Sequence, residues 1–449
     1  MFEKAKIISG LIKSKKFECY VVGGAVRDLI LKKIPIDIDF ATNASLEDLY
    51  QIIKEMNFTM IPTGLKHNTV TVLIDNEAFE ISSYRKNQNS CPPPNHSPTR
   101  LDDASTRDFT MNALYLDIDT NDFFDPYNGR KDIENKIIAY VQDPKDRINE
   151  DPLRILRAFR FMSTLGFCIE KNSLKQSLAS LDDLFKVSPE RIRVELLKLL
   201  SGEFVEPIFN SYFDVFFAII PELKATFNCV QNTPWHIYDV FTHTKHVVLG
   251  LPSQKPLLRL VGLFHDIAKP KCKTTDELGI DHFYKHDCEA IALILPIMKR
   301  LKFSNKEIAY VCFLVERHMA LNHDISEKGA RRLIKNVREH FFSDTESILE
   351  DLILLAKADR LAQNPAHLKN LPFYDPAVIV RKELANKNNI YESPLTGEEI
   401  KNLFNLSEGK IIGLIKDYLI DQIIEGHLLQ DDKNKAISLS RDYYESLKS

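Results

Sequence analysis

The chain has no apolar run of the length, about twenty residues, that a membrane-spanning helix needs, so no membrane association is expected. It has no Cys-x-x-Cys pair. Its seven cysteines are an odd number, which points to free thiols in a reducing cytoplasm rather than a disulfide framework. The opening residues, Met-Phe-Glu-Lys-Ala-Lys, lack the basic stretch, apolar core and small cleavage residues of a secretory signal. There is no tandem repeat and no low-complexity segment. Neither sign of charge is in large excess: a net charge of -4 argues against indiscriminate nucleic-acid binding but leaves room for a local basic groove. What is present, 44% apolar and 27% charged residues, is the composition of a globular protein. A chain of 449 residues exceeds one ordinary core, so about three or four domains are expected.

The most informative stretch is 19–40. Tyr20–Val22 reads as a short apolar strand, Gly23-Gly24 as a tight turn, and Ala25–Lys32 as a helix. Strand, glycine turn and helix N-terminus together make an anion site, because backbone N–H groups point outward and no Cβ blocks a phosphate. In Ile36-Asp37-Ile38-Asp39-Phe40 the apolar residues alternate with two aspartates. On a strand, Asp37 and Asp39 leave one face roughly 6–7 Å apart. Carboxylates so placed can converge on metal ions that grip a triphosphate.

Around this stretch the pattern predicts a helix over 1–18 with Ile7, Ile8, Leu11 and Ile12 on one side, and another from the N-cap Ser45 toward Met56. Strands are expected at Thr69–Ile74 and Ala78–Ser83, joined at Asp75-Asn76, and at Asn112–Ile118 and Ile137–Val141. Prolines 92, 93, 94 and 98 mark 86–99 as an irregular loop. Residues 1–145 therefore read as a mixed sheet with helices. From Glu150 onward the pattern turns helical, beginning with Asp151–Leu165, stopped by Gly166, and a helix begun by Ser188-Pro189.

Three further motifs carry chemistry. In Thr106-Arg107-Asp108-Phe109-Thr110-Met111-Asn112, Arg107 suits a phosphate, while Asp108 and Asn112 suit a ribose or brace the site. In Glu150-Asp151-Pro152-Leu153-Arg154-Ile155-Leu156-Arg157, Asp151 and Arg154 fall on one helical face. Arg donates two hydrogen bonds and Asp accepts, so the pair can read the Watson–Crick edge of a base; an ordinary ion pair is the alternative. Glu80 is either a third carboxylate or a plain strand-face charge.

The ordered set Gly23-Gly24-x-Val26-Arg27-Asp28, Asp37-x-Asp39, Arg107-Asp108-Phe109-Thr110-x-Asn112-Ala113, Glu150-Asp151-x-x-Arg154-x-x-Arg157 and Pro189-Glu190-Arg191-Ile192-x-x-Glu195 resembles the bacterial-type (class II) tRNA nucleotidyltransferase and poly(A) polymerase family, in particular its CCA-adding members. The resemblance spans roughly residues 1–225 in its motifs, and more loosely continues through Leu395-Thr396-Gly397 and Glu408-Gly409-Lys410. It implies an α+β fold: a polymerase-β-like head over 1–145, a helical neck over 146–230, a body over 231–365 and a helical tail over 366–449. It implies that Asp37 and Asp39 hold two Mg²⁺, that Gly23, Gly24, Arg27, Arg107, Asp108, Asn112 and Arg157 bind the nucleotide, and that Asp151 and Arg154 choose CTP or ATP without a template. The partner implied is the acceptor arm of tRNA, with Arg191, Arg193 and Lys198 on its phosphates. Two departures stand out: Thr106 replaces a usual arginine, and the stretch from Arg85 to Arg107 is short and proline-rich. Shortened loops occur in family members that add only CC, so CC-only and A-only addition stand as alternatives to full CCA addition.

A second pattern lies in the helical region: His243, His265-Asp266, His286, His318 and Asp359, with His265-Asp266 inside the apolar run 260–269. A buried His-Asp pair needs a partner, and a divalent metal supplies one. The set resembles the HD superfamily of metal-dependent phosphohydrolases. A hydrolase with a degenerate RNA-clamping head is the competing class of function. Lys328, Arg331, Arg332, Lys335 and Arg338 form a helix-spaced basic stripe, expected to meet tRNA phosphates.

Overall fold

The computed structural model describes residues 1–55, 58–61, 68–85, 97–321, 325–368, 375–385, 392–407 and 409–447. Residues 86–96 of the proline-rich loop, Met56 and Glu408 lie outside these. The described residues form two compact units, Met1–Pro221 with Arg300–Phe303, and Glu222–Lys299 with Ser304–Ser449.

The first unit opens with α1 (Phe2–Ser14), which buries Ile8 and Ile12 but leaves Ile7 exposed. Next come β1 (Cys19–Val22), α2 (Gly24–Ile30), β2 (Asp39–Thr42) and α3 (Leu46–Glu55). Ser45 and Asp48 cap α3 reciprocally: the Asp48 amide donates to Ser45 Oγ and the Ser45 amide to Asp48 Oδ2, both at 3.1 Å. Strands β3 (Thr59–Ile61), β4 (Thr69–Ile74) and β5 (Glu77–Ser83) follow. Asp75 and Asn76, both at positive φ, make the β4–β5 turn. Then come α4 (Arg100–Ser105), β6 (Tyr115–Leu116), β7 (Phe123–Phe124), α5 (Gly129–Glu134) and β8 (Ile137–Ile138). The main sheet has seven strands in the order β3-β4-β5-β2-β1-β6-β7. Only β2 and β5 run parallel within it, so the sheet is mixed, as the sequence predicts.

Three details differ from the sequence reading. Strand β2 begins at Asp39, where its pairing with both neighbours starts, opposite Val22 at the end of β1 and Glu80 within β5. Ile36 is accordingly 90% exposed, while Ile38 and Phe40 are buried. The strand expected from Asn112 starts only at Tyr115. Thr110–Asn112 instead form a 3-10 turn, with the Ala113 amide on the Thr110 carbonyl at 3.0 Å. Gly129 packs on that carbonyl so closely that an added Cβ would stand 2.1 Å from it. Finally, β8 joins no strand of the main sheet; it pairs in parallel with β9 (Cys168–Ile169), beyond the long helix of the neck.

That helix is interrupted. After α6 (Pro144–Glu150), Asp151 is extended (φ -152°, ψ 97°), and α7 runs over Leu153–Leu165, ended by Gly166 at φ 70°. Pro152 disfavours helical geometry at the residue before it, which explains the break. Helices α8 (Lys171–Ala179), α9 (Pro189–Leu200), α10 (Glu206–Ser211) and α11 (Asp214–Ile219) complete the unit. Ser163 Oγ on α7 donates to the Leu199 carbonyl of α9 at 2.9 Å, tying the two together.

Among the described residues the second unit is helical apart from a small hairpin, β10 (Thr274–Thr275) with β11 (Asp281–His282). Helices α12 (Val240–Gly250), α13 (Pro256–Phe264), α14 (Lys269–Cys272), α15 (His286–Arg300), α16 (Asn305–Arg317), α17 (Glu327–His340) and α18 (Thr345–Leu361) surround its apolar centre. After α19 (Pro365–Leu368) and α20 (Pro376–Ala385), the chain ends in α21 (Gly397–Phe404), α22 (Lys410–Ile424) and α23 (Lys433–Ser446), which share a core of Leu395, Ile400, Ile415, Leu419 and Leu428. Among the described residues no helix is long and apolar enough to cross a membrane.

Candidate active site and metal centre

A cavity of about 490 Å³ in the first unit is lined by Gly23, Gly24, Asp37, Asp39, Asn112, Asp151 and Arg154, among others. Seven arginines (27, 85, 107, 154, 157, 160, 191) and four aspartates (37, 39, 108, 151) face it, an excess of cations that suits a polyphosphate.

The Gly-Gly turn forms one wall. Gly23 sits at φ +70°, and an added Cβ would meet Arg107 Nη1 at 3.4 Å. A side chain there would be strained and would crowd the arginine. The carboxylates form another wall. Parallel pairing sets Asp39 beside Glu80, so the two side chains share a face. Burial, then repulsion from Asp37 and Glu80, raises the Asp39 pKa to about 6 against the pull of Arg107. A divalent cation held by Asp39 and its acidic neighbours would relieve that repulsion.

Behind the wall runs a chain of charge-assisted bonds. Arg27 donates to Asp28 Oδ1 from Nε at 3.0 Å and to Asn112 Oδ1 from Nη1 at 2.8 Å. Asn112 Nδ2 donates to Asp108 Oδ1 at 3.0 Å, and Arg157 Nε to Asp108 Oδ2 at 2.8 Å. Burial would raise the Asp108 pKa, but Arg157, Asn112 and the Phe109 amide together hold it far below the usual carboxylate range. Arg157 continues to Glu195, which also pairs with Arg160 at 3.1 Å. The Phe161 ring lies under Arg27 and Arg160, 5.1 and 3.9 Å from their guanidinium carbons.

At the neck side, Asp151 accepts from Arg191 Nη1 at 3.1 Å and Nη2 at 2.7 Å. Arg154 donates to the Thr106 and Arg147 carbonyls at 2.8 and 2.9 Å and to Glu150 at 2.9 Å. The structure thus brings every nucleotide-site residue expected from the sequence to one cavity. It also places Arg191, expected on RNA, in that cavity. Arg193 instead donates to the Lys302 carbonyl, and Lys198 stays exposed. The stripe on α17 is not a free basic face. Lys328 and Arg332 pair with Glu425, Lys335 with Asp421 at 2.8 Å and Arg331 with Glu383 at 3.6 Å, all acidic partners on α20 or just beyond and within α22.

Sequence reading missed Arg85, Arg160 and Phe161 in the cavity. Arg160 had a signal, since Arg154, Arg157 and Arg160 recur every three residues on one helix. It also missed Asp103, a buried carboxylate that accepts from Arg107 Nη2 at 3.0 Å, from Tyr115 Oη at 2.5 Å and from the Arg85 amide at 3.1 Å.

In the second unit, six donors converge in two sets, His243/His265/Asp359 and Asp266/His286/His318. All six are buried, and within each set the donor atoms lie within 4.8 Å of one another. Nδ1 of His265, His286 and His318 lies 2.7–2.8 Å from the carbonyls of Gly262, Phe283 and Val315. A carbonyl only accepts, so each Nδ1 carries the proton and each Nε2 presents a lone pair. Yet His286 Nε2 and His318 Nε2 are 3.2 Å apart, and His243 Nε2 and His265 Nε2 are 3.4 Å apart. Ring nitrogens that close need a proton or a metal ion between them, and Asp266 and Asp359 beside them favour either. Asp266 touches both sets, with Oδ2 3.2 Å from His265 Nε2 and Oδ1 3.3 Å from His286 Nε2. Burial, which first of all disfavours charge, together with neighbouring histidines lowers the His318 pKa to about 4, so it stays neutral and able to ligate. A cleft of about 210 Å³ opens beside the cluster, lined by Trp235, His236, Lys269 and Tyr284.

A mixed sheet that carries Asp39, with Asp37 just before it, to the wall of an arginine-lined cavity, followed by a helical neck, defines a nucleotidyltransferase head. Residues 19–139 match the family model described as poly A polymerase head domain, and residues 166–226 the one described as probable RNA and SrmB-binding site of polymerase A. A CCA-adding enzyme of Staphylococcus saprophyticus is 35% identical over 324 residues, covering 68% of this chain and 80% of that protein. One from Staphylococcus epidermidis is 36% identical over 217 residues, 47% of this chain and 52% of its own length. The chain matches about half the length of several such relatives. In fold, it resembles the Bacillus stearothermophilus CCA-adding enzyme solved with CTP, with a TM-score of 0.66 and 21% identity over 100% of this chain and 98% of that one. It also resembles the Thermotoga maritima enzyme solved with tRNA, with a TM-score of 0.56 and 19% identity over 98% and 94%. The chain belongs to the CCA-adding enzyme family.

Proposed function

We propose that this chain extends the 3′ end of tRNA with C, C and A, taking CTP and ATP in turn and using no nucleic-acid template. The observation that carries this reading is the arginine-lined cavity that holds Asp37, Asp39 and the Asp151/Arg154 pair together, with Glu80 beside Asp39 on the neighbouring strand. Asp37 and Asp39, with Glu80 beside them, would hold Mg²⁺. The metal would supply activation of the RNA 3′-hydroxyl and charge neutralisation at the leaving pyrophosphate. Arg27 and Arg107, held by Asp28 and Asp103, orient the triphosphate along the Gly-Gly turn. Asp151 and Arg154 read the base. The division into head, neck, body and tail serves this chemistry, with Lys198 and the helical remainder toward tRNA. Free cysteines fit a reducing compartment, so we place the activity in the cytoplasm.

The test uses tRNA transcripts ending before, within and just short of CCA, with CTP, ATP or both, and wild-type, Asp37→Ala and Asp39→Ala proteins. Wild type extends each transcript to CCA and the variants extend none. Extension that survives in both variants would overturn the assignment of the site; a stop at CC with both nucleotides present would make this a CC-adding member.

The facing lone pairs of the histidine cluster favour a second reading alongside the first: a metal-dependent phosphohydrolase centre in the second unit. His243, His265 and Asp359 would hold one divalent ion, His286 and His318 another, with Asp266 shared between them. The metals would supply a hydroxide for attack on a phosphate ester. Wild-type protein should retain divalent metal through dialysis and His265→Ala should lose it while nucleotide addition continues. Metal content unchanged in His265→Ala would refute this second centre.

A further inference from the structure

We infer that Arg191 is a positioning residue for base selection: its guanidinium clamps the Asp151 carboxylate and leaves it one aimed acceptor. The inference rests on the reading of Asp151 as part of the base-selecting pair.

Asp151 is the single extended residue between α6 and α7, so no helical neighbour fixes its side chain. Three donors do so instead. Oδ1 accepts from the Leu153 amide at 3.3 Å and from Arg191 Nη1 at 3.1 Å; Oδ2 accepts from Arg191 Nη2 at 2.7 Å. The two arginine bonds form a planar fork, which sets direction as well as distance. A carboxylate offers about four lone-pair directions, two on each oxygen. Oδ1 is filled, and Oδ2 keeps one. Arg191 can hold this direction because it is itself placed: it lies in the first turn of α9, started by Pro189 and bonded to α7 through Ser163. Arg154 is aimed separately, by the Thr106 and Arg147 carbonyls.

A single aimed acceptor sorts bases by chemistry. Cytosine and adenine each offer an exocyclic amino donor; uracil and guanine carry a carbonyl at the corresponding position. A carboxylate lone pair held in place bonds the first two and repels the others. A carboxylate free to rotate would evade that repulsion, so discrimination requires the clamp. The pair is also partly exposed, with side-chain accessibilities of 52% for Arg191 and 28% for Asp151, so its loss should scarcely change stability.

The experiment measures kcat/KM for CTP and for UTP on a tRNA transcript that lacks its last three nucleotides. It compares wild type, Arg191→Ala, Arg191→Lys, Asp151→Ala and the Arg191→Ala/Asp151→Ala double variant, with thermal melts of each. Arg191→Ala should lower the CTP-over-UTP ratio about tenfold, the worth of a charge-assisted hydrogen bond. Its melting temperature should stay at the wild-type value. Arg191→Lys keeps the charge without the fork and should fall between, and the double variant should discriminate no worse than Asp151→Ala. Equal losses for CTP and UTP in Arg191→Ala would show a merely structural role and overturn the inference, as would full discrimination in Arg191→Lys. If Asp151→Ala collapses the ratio and Arg191→Ala does not, the clamp alone is refuted. If Asp151→Ala leaves the ratio unchanged, the base-reading role of Asp151 falls and the clamp with it.

Discussion

Changing Asp103 to asparagine keeps the size of the side chain and removes its charge. Asp103 is 1% exposed and accepts from Arg107, Arg85 and Tyr115 at once. Burial by itself would raise its pKa; Arg107, Arg85 and the Tyr115 hydroxyl reverse that and lower it to about 2. Against an unfolded value near 3.9, a difference of about two units corresponds to about 2–3 kcal/mol of stability at neutral pH. Loss of the partner of the buried Arg107 falls in the same range, about 3 kcal/mol or more for a broken buried pair. These are two views of one interaction and do not add. The sign follows from the lowered pKa: the contribution is full above the unfolded pKa and is lost as pH falls through the folded one. Urea unfolding followed by circular dichroism should show Asp103→Asn less stable by about 3 kcal/mol at pH 7, with roughly half of the gap gone at pH 3. Arg107, no longer anchored, should also raise KM for the nucleotide by about tenfold. A gap below 1 kcal/mol that stays flat with pH would refute the reasoning.

Other outcomes follow from the same geometry. Gly129→Ala forces a methyl against the Thr110 carbonyl, so thermal melts should show a loss of at least about 1–3 kcal/mol, the usual cost of overpacking. Asp108→Asn removes the acceptor that ties Arg157 to Asn112, so single-turnover assays should show slower addition of both C and A, by about tenfold or more. Glu80→Gln removes one of the carboxylates crowded beside Asp39; the Mg²⁺ concentration for half-maximal addition should rise several-fold, and an unchanged Mg²⁺ profile would leave Glu80 a strand-face charge. Lys335→Ala breaks a contact with Asp421 rather than with RNA, so tRNA affinity should keep its salt dependence within error.

Much of the head was legible because its signals are local. The β4–β5 hairpin, the Gly-Gly turn after β1 and the capping pair Ser45/Asp48 each depend on residues a few positions apart. The gathering of the histidine set was legible for another reason: a His-Asp pair inside an apolar run must find polar partners, and six such groups come together. What was illegible depended on contacts between distant residues. Nothing near Ile36 shows that pairing with β1 and β5 begins only at Asp39, so the alternating pattern reads as strand three residues too early. Basic residues on α17 look free until Glu425 and Asp421, some 86–93 positions later, are folded onto them. Asp103 sits beside Asp102 in an ordinary-looking helix turn, and only the return of Arg107 and Tyr115 over it reveals a buried carboxylate. The sequence reading began the helix at Asp151 and put Asp151 and Arg154 on one face; Pro152 instead breaks it there, so the two are separately aimed groups.

The most direct measurement is the sequence of what the protein adds. A tRNA transcript lacking its three terminal nucleotides is incubated with all four nucleoside triphosphates and Mg²⁺, and the extended 3′ ends are read base by base. The account predicts C, C and A in that order, with growth ending there. Products of mixed composition, or no extension at all, would contradict it.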